Sequence, residues 1–339
     1  MPLGFSTFQY VILCTIHLHP IDSYTTLQDC LQSFMLMVRQ FHHCLMAKRA
    51  GRGHDLGGIQ ATVPGGLAVP CRACPWPGVN LPEGFDQVPT NDAWIYCLFT
   101  HMDCNFHMSN QTRPNQDQEF ALSEGLTYFV EKGPFNDHIR NNVNKEDVKG
   151  CVGFAALVNT NNRQAKGLLV TGLCGMSCRH ELWFELGLCN LQKGERYCNV
   201  DFVYFSNLQK VEGVKVVSSY DIACEWHKNL WKRMDTLPPE YHLKIPKLSV
   251  TFLVNKFHLV GHARHCQAPF SFNFQQGIGH SNREGPKRMW AVINGAGLST
   301  KQMGSGTRQD SLTDFCGFMN WLKTIGVGKW SSLFWQSIN

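Results

Sequence analysis

The chain has 339 residues, 43% of them hydrophobic and 17% charged, with a formal net charge of +5. This suits one large domain or two with a sizeable core, and the modest positive charge permits nucleic-acid binding without announcing it. Fifteen cysteines, odd in number and irregular in spacing, exclude the disulfide framework of a small secreted domain.

An apolar patch at residues 8–16 has no basic stretch before it and is too short to span a bilayer, so neither a signal peptide nor a membrane anchor is expected. Residues 22–49 carry Leu27, Leu31, Phe34, Met35, Val38, Phe41 and Leu45 at intervals of three and four, which predicts an amphipathic helix. It leads into a short basic run, Lys48, Arg49 and Arg52, which suits phosphate contacts or a solvated loop. Residues 50–91 are dense in Gly and Pro and forbid long elements. Within them CRACPWPG supplies Cys71 and Cys74, half of a four-ligand zinc site that needs distant partners.

The run WIYCLFTHMDCNF is apolar and aromatic from Trp94 to Phe99, as in a buried strand, and Asp103 falls within or at the end of that strand. An acid there needs solvent, a counter-charge or a cation. Helices are expected at residues 121–131 and 134–145, and two short strands at 167–184 around a turn at 175–179. Cys178 and His180, two apart, can face one ligand on a strand; the alternative is a small core thiol and a surface imidazole. Asp201, in a mixed polar and aromatic run, is a lesser carboxylate candidate.

The stretch KVVSSYDIACEWHKNLWKRM reads as a strand, then Asp221, then a helix whose last turns carry Lys228, Lys232 and Arg233. Asp221 is either a helix cap or a group that holds a metal. Residues 248–254, LSVTFLV, predict a strand. His258, His262, His265 and Cys266 then crowd together, with His258 and His262 four apart as on one helix face. Glu284 stands at the start of a further helix, with Pro286 in its first turn. A last helix is expected at residues 315–327, ended by Gly328.

Several of these stretches, in order, resemble one family: KRAGRGHD, CRACPWPGVNLPEG, MDCNF, LQKGERYCNVD, YDIACEWHKNLWKRM, NKFHLVGHARHCQAPFSFN and GIGHSNREGPKRMWAVIN. They are similar to the Kyakuja-Dileera-Zisupton (KDZ) transposases, DNA transposases abundant in mushroom-forming fungi. The resemblance implies an α/β fold: an RNase H-like mixed sheet flanked by helices, behind a helical N-terminal segment and a Gly/Pro-rich insertion. It also implies a DDE-type triad, Asp103, Asp221 and Glu284, holding two Mg²⁺ or Mn²⁺ ions for phosphodiester cleavage and strand transfer on transposon ends and target DNA.

Cys178 with His180, and His262 with Cys266, match positions where the family carries Cys and His, and join Cys71 and Cys74 as zinc candidates. Departures stand in the third motif, where Asn282 and Arg283 replace acidic or small residues, and in Glu225 and Asn255. The upstream CxC-type cysteine cluster of the family is missing, so a shortened, decayed copy is expected. Its organisation would be a leader at 1–20, a helix and C-x-x-C region at 21–91, a transposase core at 92–328 and an unrelated tail at 329–339. A nuclear location, DNA as partner and homo-oligomers follow. The alternative is a transposon-derived protein that binds DNA without cutting it, through Lys48, Arg49, Arg52, Lys228, Lys232 and Arg233.

Overall fold

A computed structural model of the chain describes residues 24–89, 92–114, 119–142, 166–278 and 284–338. In order these form α1 (Tyr24–Arg49), β1 (Leu98–Asn105), β2 (Asn110–Gln111), α2 (Lys132–Asn142), β3 (Leu168–Val170), β4 (Gly172–Cys178), β5 (Trp183–Leu191) and α3 (Tyr197–Leu208). They continue with β6 (Val216–Ser219), α4 (Ala223–Trp226), α5 (Leu230–Met234), β7 (Val250–Leu253), α6 (Lys256–Leu259), α7 (Arg264–Gln267), α8 (Gly285–Ile293), α9 (Gly297–Lys301) and α10 (Ser305–Ile338). Short 3₁₀ turns link several of them.

The main sheet has the order β5-β4-β1-β6-β7. β4 runs antiparallel to β1 and β5, while β1, β6 and β7 are parallel. A central strand covered on both faces must be apolar on both, and Leu98, Phe99 and Met102 of β1 are all buried. The period of two sends Leu98, Met102, Cys174 and Met176 into one core with α3, including Val200, Val203 and Tyr204. On the other face Leu173 packs with Trp183 of β5, with Met289, Trp290 and Ile293 of α8, and with Leu312 of α10. Gly175 lies on this second face: a Cβ there would sit 2.6 Å from Trp183 and 2.7 Å from Trp290, so only glycine admits the indole pair.

α1 lies along α10, tied by Arg39 to Asp310 at 2.6 Å and by His42 and Arg49 to Asp314 at 2.7 and 3.1 Å. No helix among the described residues is long and apolar enough to cross a membrane.

The mixed α/β sheet agrees with the sequence reading, and several boundaries correct it. The segment from Ala93 to Tyr96 is a 3₁₀ turn with Trp94 and Ile95 exposed, and the strand begins only at Leu98. Residues 121–131 form turns rather than a helix, closed by a bridge from Phe129 to Leu188. The turn between β4 and β5 falls at 179–182, because Gly175 is needed inside β4 beneath the tryptophans. The helix expected after Asp221 is broken into α4, a 3₁₀ turn and α5. α10 runs on past Gly328. The apolar patch at 8–16, and Asn282 and Arg283, lie outside the described residues.

Candidate functional site

The registers of the central strands bring the acids together. β1 pairs with β6 so that Leu98 faces Val216 and His101 faces Ser219. Asp103 pairs with Gly175 and so faces α8, while Asp221 follows β6 by two residues and lies close enough to Asp103 for their carboxyls to interact. Glu284 is the N-cap residue of α8, with Pro286 in the first turn as expected. Asp221 makes no cap hydrogen bond, since the residue at the N-cap of α4 is Ile222. Of its two readings, the cap is the one that the structure removes.

The groups around these acids are mostly neutral. Asp103 Oδ1 accepts the Cys104 N–H at 2.9 Å. Asn255 donates to Asp221 Oδ1 at 3.1 Å, and His258 Nε2 lies 3.2 Å from Asp221 Oδ2. Glu284 Oε1 accepts the Phe257 N–H at 3.2 Å, and Lys287 Nζ stands 3.3 Å from Glu284 Oε2. Burial, then the neighbouring charges of Asp221 and Glu195, push the Asp103 carboxyl well above its usual range. Burial and Glu195 push Asp221 up to about 7, against the pull of Lys287. Burial, together with Lys287, brings His258 down to about 4, so the imidazole is neutral at physiological pH. Among the described residues, the cluster holds more acid than Lys287 can balance.

Glu195 is a member of this cluster that sequence reading did not single out. It precedes α3, accepts a short hydrogen bond from the Tyr220 hydroxyl, and has its own carboxyl raised by burial. Its only sequence signal was its place in the quoted GERYCNVD stretch. Asp201 lies elsewhere. It is buried in α3, bonded by Trp226 Nε1 at 2.7 Å and by Arg233 Nε at 2.5 Å.

Two sets of softer ligands also form. The ligand atoms of Cys71, Cys74, Cys178 and His180 all lie within 4.8 Å of one another, an arrangement that could hold a metal such as zinc. His180 Nδ1 is 3.4 Å from Cys71 Sγ, 3.5 Å from Cys74 Sγ and 4.0 Å from Cys178 Sγ. The two half-sites of the sequence are thus one cluster. The second set is Cys224, His262 and Cys266, with Cys224 Sγ 3.3 Å from His262 Nδ1. Cys224 is a donor that sequence reading missed, hidden in the apolar spacing of α4. His258 meets the Asp221 carboxylate, while His262, beyond the end of α6 at Leu259, meets the Asp221 backbone and the Cys224 thiol.

The basic residues proposed for DNA are differently placed. Lys48 and Lys232 are exposed. Lys228 pairs with Glu225 at 2.8 Å and Arg52 with Asp55 at 3.0 Å. Arg49 stacks over Phe318 and pairs with Asp314, and Arg233 is taken up by Asp201.

A family model described as Kyakuja-Dileera-Zisupton transposase matches residues 96–320, more than half of the chain. That span runs from just before β1 into α10 and contains all three acids. No curated protein and no solved structure matches the chain.

Proposed function

The chain belongs to the Kyakuja-Dileera-Zisupton transposase family, and from that premise we propose that it is the catalytic domain of a DNA transposase. In this reading the sheet is an RNase H-like core. Asp103, Asp221 and Glu284 form a DDE-type triad for two Mg²⁺ or Mn²⁺ ions. The observation that supports it is that Asp103 and Asp221 stand at the ends of the paired strands β1 and β6, where Asp221 raises the Asp103 carboxyl and Glu284, at the start of α8, acts on Asp221.

The donor set fits hard divalent cations: oxygen ligands, half-buried, in excess over the neighbouring positive charge. When bound, such ions activate an attacking hydroxyl and stabilise the departing oxygen of a phosphodiester. The chain's own residues hold the ligands in place. The Cys104 and Phe257 N–H groups and the Asn255 amide each fix one carboxylate oxygen. His258, neutral beside Asp221, orients that carboxylate without competing as a cation. Lys287 offsets part of the acidic charge. DNA at transposon ends and target, a nuclear site of action and self-association go with this reading. The exposed Lys48 and Lys232 are its most available phosphate contacts.

The test is thermal unfolding with and without millimolar Mg²⁺ or Mn²⁺, beside Asp103→Asn/Asp221→Asn. Binding to the folded state alone raises stability by mass action. A metal-dependent rise in the wild type that the double variant lacks, followed by metal-dependent plasmid cleavage, is the expected result. Salt-sensitive DNA binding with no metal response and no cleavage would replace it with the non-catalytic DNA-binding reading.

A further inference from the structure

The four-donor cluster on the opposite face of the sheet has a more demanding geometry than proximity alone. In a tetrahedral site with zinc–sulfur bonds of about 2.3 Å and a zinc–nitrogen bond of about 2.0–2.1 Å, sulfur and nitrogen stand about 3.5 Å apart. His180 Nδ1 meets that separation with Cys71 and Cys74, at 3.4 and 3.5 Å, and exceeds it modestly with Cys178, at 4.0 Å. Three thiols and one imidazole complete a closed coordination sphere, the pattern of a structural rather than a catalytic zinc.

The loop that carries the first two donors is also held by its own hydrogen bonds. Asn80 donates to the Arg72 and Cys74 carbonyls at 3.1 and 2.8 Å, and its own oxygen accepts the Trp76 N–H at 2.8 Å. Trp76 in turn donates to the Cys71 carbonyl at 2.8 Å and meets Phe184 of β5 edge to face. One glutamate links the other pair of donors to the acidic face. Glu181, next to His180, has a left-handed backbone with φ of 60°. It takes Arg288 of α8 through a bond of 2.7 Å and Lys323 of α10 at 2.5 Å. A Cβ at Gly285 would lie 3.1 Å from Glu181 Cγ, so the first turn of α8 rests on this side chain.

We infer that Cys71, Cys74, Cys178 and His180 bind one structural zinc ion, which clamps the 71–80 loop to the β4–β5 turn and so seats the start of α8. Zinc binding stands apart from phosphodiester chemistry. Only the consequence for Glu284 rests on the transposase reading.

Zinc content of the purified full chain tests it, with cobalt substitution to count thiolates. Cys71→Ser and Cys178→Ser should each lose one equivalent of zinc relative to wild type, whereas Cys224→Ser should keep it. His180→Cys should retain zinc and shift the cobalt spectrum from three thiolates to four. Full zinc in Cys71→Ser, or its loss confined to Cys224→Ser, would overturn the assignment. Should the serine variants fail to fold, His180→Cys decides alone: an unchanged cobalt spectrum refutes the site. Hydrogen exchange after chelation should speed up at residues 178–182 and across α8. Exchange that rises only in the 71–80 loop would overturn the seating of α8. None of these readouts depends on Mg²⁺, DNA or cleavage.

Discussion

Asp201 and Asp221 lie twenty residues apart in sequence, and both are taken from full solvent, yet they do opposite things. Asp201 is enclosed by α3 and answered in kind: Arg233 offers two nitrogens, and the Trp226 indole a third donor. Burial still raises its carboxyl, but the guanidinium pulls it back. Asp221 meets an amide, an imidazole and more acids, with Lys287 the cation that tempers it. A buried carboxylate with its own arginine belongs to the architecture. One surrounded by further carboxylates is under-compensated, and that is the condition in which a cation from outside adds most.

The sharpest way to break this comparison is to neutralise each aspartate. Asp221→Asn should lower metal-dependent cleavage by about 10²–10⁴-fold, since bound ions supply several kcal/mol of transition-state stabilisation. Asp201→Asn should leave the metal response intact. Plasmid cleavage in Mn²⁺ measures both, and equal losses would erase the distinction. Next in size is Arg233→Ala. It strands the Asp201 charge in the core and should cost about 3–5 kcal/mol in urea unfolding. Adding Asp201→Asn to that variant should recover a good part of the loss.

The third concerns pH. A carboxyl raised from its ordinary value to about 7 binds a proton more readily in the folded chain. Stability is therefore full below the unfolded value near 4 and falls as pH rises toward 7. His258 works the other way. Lowered to about 4, it costs stability as pH falls below about 6.5, so the two trends oppose each other in the wild type. The difference between Asp221→Asn and wild type isolates the first. Without divalent cations the variant should gain on the wild type between pH 4 and 7 and hold its lead above. Millimolar Mg²⁺ should reverse the order at pH 8. Calorimetry across that range reads both signs.

The smallest effect is expected on DNA affinity. Lys232, exposed beside the committed Arg233, should on substitution by Gln lower the slope of log affinity against log salt by about 1. Fluorescence anisotropy over a salt series resolves that change.

Much of this arrangement was legible in the chain. The long N-terminal helix, the strand holding Asp103, the strand before Asp221 and the helix start at Glu284 all follow from periodicity, propensity and capping. What escaped were pairings across distance. Cys71 and His180 are separated by 109 positions, and nothing local says that two half-sites will share one space. Cys224 was masked because its neighbours, Ile222, Ala223 and Trp226, make it look like ordinary core. Glu195 sits in a polar stretch with no period to mark it. The break between α4 and α5 was invisible because the apolar spacing continues through it. Arg233 read as a helix-end cation and a DNA contact because its partner comes from another helix.

The alignment of β1 with β6 also has a cost in time. Partners across this pair, such as Thr100 and Ser218, are 118 residues apart. At synthesis rates of about 5–20 residues per second, β1 waits roughly 6–24 s for its parallel neighbour to leave the ribosome. Through that interval the strand has an edge unfilled, open to mispairing with its own later segments or with another chain. Pairings of such long sequence separation also slow folding, because the loop must close before the contact rewards it. The acids come together late, since Asp221 follows β6 and Glu284 opens α8.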